Sequence, residues 1–209
     1  MTATAHSPAL APQVKPRFAA AARIEPVAAT NHDIGQFIRL HQQVLAALPA
    51  HGRHWVKRRL FSDIRNHVRN GNVALGAFDA AGNMIGQLLL TFPDLRGGKN
   101  LLGYPVGPGT HAPEHCAIVQ TVGLAPGQNG KGVMSALLDA AQMIAAENGR
   151  AHLLAKTDLE NTDSIRLFKH AGYTPGPETA VAGEAYKCVF MHKPIAAAMF
   201  ADQPFLKIA

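Results

Sequence analysis

A glycine-rich turn that leads into an amphipathic segment is the part of this sequence best suited to hold a ligand. Residues 122–135 read VGLAPGQNGKGVMS and place Gly127, Gly130 and Gly132 around Lys131. Glycine lets the backbone approach a ligand closely because it has no Cβ. The first amides of a following helix have no partners inside that helix and point beyond its end. Glycines and free amides together predict a binding site for phosphate groups.

Two common phosphate-binding motifs do not fit the spacing of this turn. A Walker A loop requires Gly, four further residues and then Gly-Lys-Ser/Thr, but Ala125 occupies the first position and Gly132 replaces the hydroxyl residue. A dinucleotide fingerprint requires G-x-G-x-x-G in a first βαβ unit, but Ser135 occupies its last position and the turn lies past the middle of the chain. The turn therefore predicts a phosphate-bearing ligand of another kind.

Length and composition are typical of one globular domain. The 209 residues suffice for one substantial core, and a charged fraction of only 16% argues against disorder. No apolar stretch reaches membrane-spanning length, and the net charge of +6 does not by itself indicate nucleic acid. Cys116 and Cys188 fall in predicted strands, which favours buried free thiols in a reducing compartment. We expect a cytoplasmic protein without a membrane or nucleic-acid partner; the sequence leaves homodimer formation open.

Strand and helix patterns alternate around the turn. A first helix is predicted after the capping pair Thr30 and Asp33, and a second from about His54 to Asn70. A third helix begins after the turn and ends at Gly149, and a fourth follows Asn161. The predicted strands are Ala22–Ala28, Val73–Phe78, Met84–Phe92, Cys116–Leu124, His152–Thr157, Thr179–Ala182 and Tyr186–His192. The predicted order is β-α-α-β-β-β-α-β-α-β-β.

The chain is predicted to contain one folded domain with an extension at each end. Residues 1–20 are rich in alanine and proline and are expected to be a disordered extension. The domain is predicted over residues 21–195, and a C-terminal tail over residues 196–209. Inside the domain, residues 93–113 form a long Gly/Pro-rich loop, and loops of this length are often functional or mobile.

Two motifs at a fixed separation give the sequence a family resemblance. After Leu124-Ala125-Pro126, residues 129–134 read NGKGVM and follow the pattern Arg/Gln-x-x-Gly-x-Gly/Ala, with Asn and Met at its ends. Residues 161–173 read NTDSIRLFKHAGY and keep the spacing of Asn-x-x-Ala/Ser-x-x-x-Tyr-x-x-x-Gly-Phe, with Phe168 in place of the tyrosine. With these motifs and the element order, the stretch Arg23–Pro194 resembles the GNAT superfamily of N-acetyltransferases.

The resemblance implies an α/β fold with a mixed, mostly antiparallel central sheet flanked by about four helices. It also implies that acetyl-CoA is the co-substrate and that an amine-bearing acceptor receives the acetyl group. The main chain of Val122, Gly123 and Leu124 would pair with the pantetheine arm, and Asn161 and Phe168 would lie near its thioester end. The backbone amides that would hold the pyrophosphate belong to Asn129, Gly130, Lys131, Gly132, Val133 and Met134.

Transfer to an amine requires a proton acceptor, because a free alkyl amine is protonated near neutral pH. The period-two rule places Gln120 on one face of the fourth strand with three apolar residues, Ile118, Val122 and Leu124. Gln120 is the polar member of that face and is predicted to orient the acceptor or a water. Glu160, just after the fifth strand, is the predicted carboxylate of the site; a solvated loop charge is the alternative interpretation. The other candidate bases are Glu114, His115 and Asp158.

The second motif lacks the group that would protonate the leaving thiolate. Phe168 occupies the tyrosine position and cannot donate a proton. We therefore expect the thiolate to leave unassisted or through water. Tyr173 carries a hydroxyl nearby in sequence, but we interpret it as a core aromatic residue at the start of a strand.

Other interpretations remain open. The imperfect motifs would also suit a non-catalytic acyl-CoA-binding module of the same fold. A row of basic residues on the second helix favours a solvated face, with nucleic-acid binding as an alternative; if that helix borders the acceptor site, the row favours an acidic or carboxylate-bearing acceptor. Residues 111–116 contain the residue types of a metal site, but Pro113 disfavours the helix that would pair the two histidines, so no metal is predicted. The basic residues are Arg53, Lys57, Arg58, Arg59, Arg65 and Arg69.

Overall fold

A seven-stranded mixed sheet forms the centre of the structure, a computed structural model that describes residues 23–93, 115–180 and 186–195. Its strands are β1 (Arg23–Pro26), β2 (Val73–Phe78), β3 (Met84–Thr91), β4 (Cys116–Leu124), β5 (His152–Asp158), β6 (Thr174–Ala180) and β7 (Lys187–Pro194). They lie in the order β1-β2-β3-β4-β5-β7-β6. Within the described residues, β4 and β5 are the only parallel neighbours.

Four helices in the described ranges cover the two faces of this sheet. They are α1 (Asn31–Ala47), α2 (Phe61–Arg69), α3 (Val133–Glu147) and α4 (Thr162–His170). The side chain of Thr30 accepts a hydrogen bond from the Asp33 amide at 3.1 Å and so begins α1 as predicted. One core packs α1 and α2 on one face, and a second core packs α3 and Phe168 of α4 on the other. The predicted α/β class and order of elements are confirmed.

The second helix is shorter than the sequence predicts. It begins at Phe61 rather than near His54, and it ends at Arg69. Between α1 and α2 lie a single 3-10 turn at Ala50–Gly52 and an irregular segment at residues 53–60. The prediction of a continuous helix over His54–Asn70 is therefore wrong in its first part.

Contacts with the rest of the fold explain this later start. The amide of Arg59 donates to Nε2 of the buried His41 at 3.2 Å instead of joining a helix. Leu60, an apolar residue of this segment, is 58% exposed and does not pack in the core. The Asp63 carboxylate accepts a hydrogen bond from the Leu60 amide at 2.8 Å. Leu60 is therefore the N-cap residue, and α2 begins at the next residue, Phe61.

A bulge in β4 reverses the sides on which its residues lie. Thr121 has a φ of +50°, and the register against β3 shifts between Gln120 and Gly123. Beyond the bulge, Val122 and Leu124 pack against the core beneath α3, whereas Gln120 is hydrogen-bonded by Arg59 of the segment between α1 and α2. The prediction that Gln120 shares a face with Val122 and Leu124 is therefore wrong, because a bulge interrupts the period of two.

Two histidines that the fold keeps neutral should make its stability sensitive to acid. His41 is fully buried, and this burial lowers its pKa from the ordinary 6.5. Burial likewise lowers the pKa of His67, whose Nε2 lies 3.2 Å from the carbonyl oxygens of Val73 and Leu90. The unfolded chain binds protons that the folded chain does not, so this stability is present above about pH 6.5 and is lost as pH falls.

We expect the free energy of unfolding to fall by up to about 1.4 kcal/mol per pH unit for each of these histidines below about pH 6.5. Urea denaturation across that range measures the slope. The substitution His67→Gln should flatten it, because a glutamine amide can donate to the same carbonyls but does not titrate. The matched control His32→Gln, at an exposed position of α1, should leave the slope unchanged. Equal slopes in the wild type and His67→Gln would contradict the explanation.

Several predicted features lie outside the described residues. They include the extension at 1–20, the tail at 196–209, nearly all of the loop at 93–113, and Glu114. Within the described ranges, no helix has both the length and the apolar character needed to cross a membrane. The same ranges contain no group of three or more His, Cys, Asp or Glu that could hold a metal ion. Cys116 and Cys188 are buried thiols that form no disulfide, as predicted.

Candidate functional site

The parallel pair β4 and β5 separates part-way along its length and opens a cleft. The strands are paired only where Cys116–Ile118 lies beside His152–Leu154. The bulge at Thr121 lies beyond the last paired residue. The segment between α1 and α2, the end of β5 and the starts of α3 and α4 line the cleft together. A strand edge left open in this way can hydrogen-bond an extended ligand that contains amides.

The turn between β4 and α3 forms an anion-binding end of this cleft. Gly127, Gly130 and Gly132 have φ values of 77°, 75° and 76°, the left-handed conformation that favours glycine. Among the described residues, the amides of residues 129–135 donate to no protein acceptor. The first turn of α3 has neither an acidic residue nor a side-chain cap. Free amides at the positive end of a helix dipole fit the pyrophosphate that the family resemblance implies.

The two departures from the first motif leave this turn open. Met134 borders the cleft, but its side chain is only 7% exposed and belongs to the core beneath α3. Its bulk therefore points inward rather than into the turn. Asn129, the other departure, is exposed. Nζ of Lys131 lies 3.3 Å from Oε1 of Gln128, which keeps its positive charge beside the free amides.

The start of α4 supplies another wall of the cleft. Oδ1 of Asn161 accepts from the Ser164 amide at 3.1 Å, which leaves Nδ2 of Asn161 to donate to a ligand. Phe168 is 2% exposed and packs edge-to-face against Tyr173, with ring centroids 5.0 Å apart. Tyr173 is 3% exposed, which confirms that it is a core aromatic residue. This wall is therefore apolar at Phe168 and polar at Asn161, the N-cap residue of α4.

A histidine–aspartate pair lies in the same cleft. Nε2 of His54 is 2.9 Å from Oδ2 of Asp158, and the two side chains are 35% and 3% exposed. The other carboxylate oxygen, Oδ1, accepts from the Glu160 amide at 2.7 Å. The ring of Tyr186 lies 4.3 Å from the imidazole ring. Because the carboxylate only accepts, this contact favours the neutral tautomer of His54 that has its proton on Nε2 and its lone pair on Nδ1.

Nδ1 of His54 has the properties of a proton acceptor. It has no hydrogen-bond partner among the described residues, and the side chain is partly open to the cleft. Imidazole is the side chain whose charge changes most readily near neutral pH. A carboxylate that fixes the ring and its tautomer also stabilises the charge that the ring gains with a proton.

A guanidinium group lies at the bulge of β4. Nη2 of Arg59 donates to Oε1 of Gln120 at 2.9 Å, and its Nε lies 3.4 Å from Oγ1 of Thr121. Arg59 thus joins the segment between α1 and α2 to the strand at the point where the cleft opens. Gln120 is held in place by this contact.

The structure brings most of the predicted site residues together, but not all of them. Gly123 does not line the cleft: a Cβ there would lie 2.8 Å from the side chain of Val44 in α1. Glu160 does not line it either, since its side chain is exposed and only its amide contacts Asp158. The residues that do line it are Gln120, Val122, Leu124, Asn129, Gly130, Lys131, Gly132, Val133, Met134, Asn161 and Phe168.

A family model covers the same part of the chain. The model of the acetyltransferase (GNAT) family matches residues 40–173. This span is more than half of the sequence and runs from α1 through the glycine-rich turn to the end of the second motif. The chain belongs to the GNAT acetyltransferase family.

Solved structures share the GNAT fold with this chain. A putative acetyltransferase from Salmonella typhimurium with its cofactor acetyl-CoA has a TM-score of 0.62 at 16% identity, over 85% of this chain and 95% of that one. An N-acetyltransferase from Staphylococcus aureus Mu50 has 0.61 at 14%, over 84% and 99%. A ribosomal-protein-alanine N-acetyltransferase from Brucella melitensis has 0.59 at 17%, over 82% and 99%. At these identities the likeness shows the fold alone. No curated protein matched the chain in sequence.

Sequence reasoning missed two cleft residues of this GNAT domain, His54 and Tyr186, and named Arg59 only as one of a row of basic residues on the second helix. His54 and Arg59 were assigned to a helix that is absent there, and Tyr186 to a strand. His54 is 104 residues from Asp158 in the chain, so no local pattern joins them. The available signal was the break after α1, since Pro49 and Gly52 separate α1 from a segment that is free to follow the cleft.

Proposed function

We propose that this chain transfers the acetyl group of acetyl-CoA to an amine. The observation that carries the proposal is that one cleft contains both the free amides of residues 129–135 and the His54–Asp158 pair. The amides suit the pyrophosphate of a coenzyme A thioester. The pair can take the proton that an attacking amine must lose. Membership of the GNAT family supports the reaction class and leaves the acceptor open.

Three parts of the chain would hold acetyl-CoA. The amides of residues 129–134 would bind the pyrophosphate, and the free edge of β4 at Val122 and Leu124 would pair with the pantetheine amides. Nδ2 of Asn161 would donate near the thioester end. Acetyl-CoA itself supplies an activated acetyl group on a thiol that leaves readily. The protein adds orientation, exclusion of water by the apolar wall at Phe168, and a proton acceptor.

We propose Nδ1 of His54 as that acceptor, rather than the predicted Glu160. The exposed side chain of Glu160 lies outside the cleft, whereas His54 lies in the cleft wall with its tautomer fixed by Asp158. Gln120 has no basic group and is bonded to Arg59, so its proposed role is to orient the acceptor. A base at hydrogen-bond distance from the reacting amine typically contributes about 10²–10⁴-fold to the rate.

A non-catalytic module that only binds acyl-CoA is the rival function, and turnover separates the two. The full-length chain would be incubated with acetyl-CoA and a panel of amines, with thiol release and the mass of each amine measured together. Amine-dependent thiol release with a matching gain of one acetyl group is expected. Binding of acetyl-CoA without any acetylated amine would favour the non-catalytic module. Absence of acetyl-CoA binding would exclude both.

The missing acid can be tested by restoring the motif. Phe168→Tyr should raise kcat by about tenfold, because a hydroxyl at the cleft wall could protonate the leaving thiolate. The gain should stay below that of an evolved acid, since Phe168 is buried against Tyr173 and no partner orients the new hydroxyl. Steady-state kinetics with saturating amine measure it. An unchanged kcat would indicate that the thiolate leaves without need of an acid at this position.

A further inference from the structure

The Arg59 side chain is held rigidly beside the cleft. Its backbone amide donates to Nε2 of the fully buried His41, and Nδ1 of that ring lies 3.0 Å from the side-chain amide of the buried Gln87. At its other end, the guanidinium donates to Gln120 and Thr121 of β4. A long side chain anchored at both ends loses little further freedom when it binds a ligand.

Among the described residues, no carboxylate forms an ion pair with Arg59. Both side-chain acceptors of the guanidinium are neutral oxygens. Burial lowers the pKa of Arg59, and the nearby charge of Asp63 acts in the opposite direction. Asp63 itself is occupied by the Leu60 amide at the start of α2. Burying a cation without a partner costs free energy, and a bound anion offsets that cost.

The hydrogen bonds already made leave a fork free for an anion. A guanidinium has five N–H groups; in Arg59, Nε and one Nη2 hydrogen are used. Both Nη1 hydrogens and the second Nη2 hydrogen remain, which is the arrangement that binds a carboxylate through two parallel hydrogen bonds. No hydrogen bond from Nη1 is seen within the described ranges.

The position of this fork separates it from the pyrophosphate end of the cleft. Arg59 contacts the bulge of β4, whereas the free amides belong to residues 129–135 at the start of α3. The His54–Asp158 pair lines the same cleft and comes, through His54, from the same segment as Arg59. Lys57 of that segment also lines the cleft and adds a second positive charge. The acceptor side is thus basic next to its proton acceptor.

We propose that Arg59 binds a carboxylate of the acceptor, so that the substrates are small amines that carry a carboxylate, such as free amino acids. The proposal rests on the proposed acetyl transfer and names its acceptor class. The carboxylate pairs with the Arg59 fork while the amine of the same molecule lies near His54. Gln120 and Thr121 hold the fork in the orientation that this pairing requires.

Matched pairs of amines test the proposal with the full-length chain. Each amino acid would be compared with its carboxamide, which keeps the amine and side chain but removes the negative charge. We expect kcat/KM to be about 100-fold higher for the acids. Arg59→Gln should lower kcat/KM for the acids, mainly through KM, by about 100-fold more than it lowers kcat/KM for the carboxamides, which lose only the support that Arg59 gives to Gln120. Arg59→Lys should restore part of the discrimination, because it keeps the charge but loses the fork.

The control is Arg58→Gln, which removes the neighbouring charge at an exposed position that does not line the cleft. Arg58→Gln should change kcat/KM neither for the amino acids nor for their carboxamides. Equal rates for acids and carboxamides, or an Arg59→Gln loss that is the same for both, would overturn the proposal and assign Arg59 a purely structural role at the bulge. Preference for phosphorylated amines over carboxylates would also overturn it. Failure to acetylate any amine despite acetyl-CoA binding would instead remove the proposed function, and this acceptor class with it.

Discussion

Replacing Asp158 with asparagine is expected to lower kcat about 10³-fold while the Kd for acetyl-CoA stays within about threefold of the wild-type value. The Glu160 amide needs an acceptor, so the oxygen of the new side-chain amide should take the place of Oδ1. Its NH₂ group then faces Nε2 of His54, where the carboxylate oxygen was. Nε2 must now accept, which moves the imidazole proton to Nδ1 and removes the lone pair that would take the proton of the amine.

His54→Ala tests the other half of the pair and permits chemical rescue. The substitution should lower kcat by a similar factor, because the proton acceptor is lost. The His54 side chain is 35% exposed, so free imidazole can reach the space that the substitution leaves. Restoration of activity by added imidazole, in proportion to its concentration, would identify a proton-transfer role that a merely structural residue would not show.

Glu160→Gln is the matched control, since it removes the carboxylate that the sequence alone favoured. Its side chain is exposed and outside the cleft, so kcat should not change. If Glu160→Gln lost activity while Asp158→Asn retained it, the sequence-based assignment would be right and the His54–Asp158 pair would be structural.

Local chemistry made much of this fold predictable. The glycine-rich turn was predictable because glycine readily adopts positive φ, and three of its glycines do so. The bounds of β2 and β4 agree with the prediction, because each is an apolar run bordered by turn residues. The Thr30 cap was predicted from two residues three apart and is present as a 3.1 Å hydrogen bond.

The errors occurred where tertiary contacts override local preference. Thr121 is not a residue type that announces a bulge, so nothing in the strand pattern indicated that Gln120 and Val122 lie on opposite sides. Residues 54–60 carry a helical pattern, but His41 takes the amide of Arg59 and keeps the segment irregular. Both errors concern the acceptor side, which is built from contacts between distant parts of the chain.

The proposed cofactor side depends on local sequence and the proposed catalytic side on distant contacts. The proposed pyrophosphate site consists of consecutive amides of one turn, and these are positioned by neighbouring residues. The proposed proton acceptor requires His54 and Asp158, which come together only when the segment before α2 packs against the end of β5. Because His54 and Asp158 are 104 residues apart, a local sequence pattern cannot indicate that they are in contact.

Replacing Gly130 with valine is expected to raise the Kd for acetyl-CoA by about 10²–10³-fold. Gly130 has a φ of +75°, which a β-branched residue adopts only with strain. The turn would relax, and the amides of residues 129–131 would no longer converge on one anion. Each charge-assisted hydrogen bond lost costs about 1.5–3 kcal/mol, so one or two suffice for this effect. Calorimetric titration with acetyl-CoA measures it.

Gly149→Val provides a control with the same backbone strain but no ligand role. Gly149 has a φ of +68° after the end of α3, and a Cβ at either glycine would meet nothing within 4 Å. The two substitutions should therefore lower the melting temperature to a similar extent, because each forces a left-handed residue. Only Gly130→Val should weaken the binding of acetyl-CoA.

A truncated donor distinguishes the turn from the rest of the cofactor site. S-acetylpantetheine lacks the pyrophosphate, so its kcat/KM should be nearly the same in the wild type and in Gly130→Val. The ratio of kcat/KM for acetyl-CoA to kcat/KM for the truncated donor should therefore be smaller in the variant than in the wild type. The decrease should equal the factor by which the variant's Kd for acetyl-CoA has risen. If Gly130→Val weakened both donors equally, the turn would act through the packing of β4 and α3, and the pyrophosphate would have to be bound by other residues.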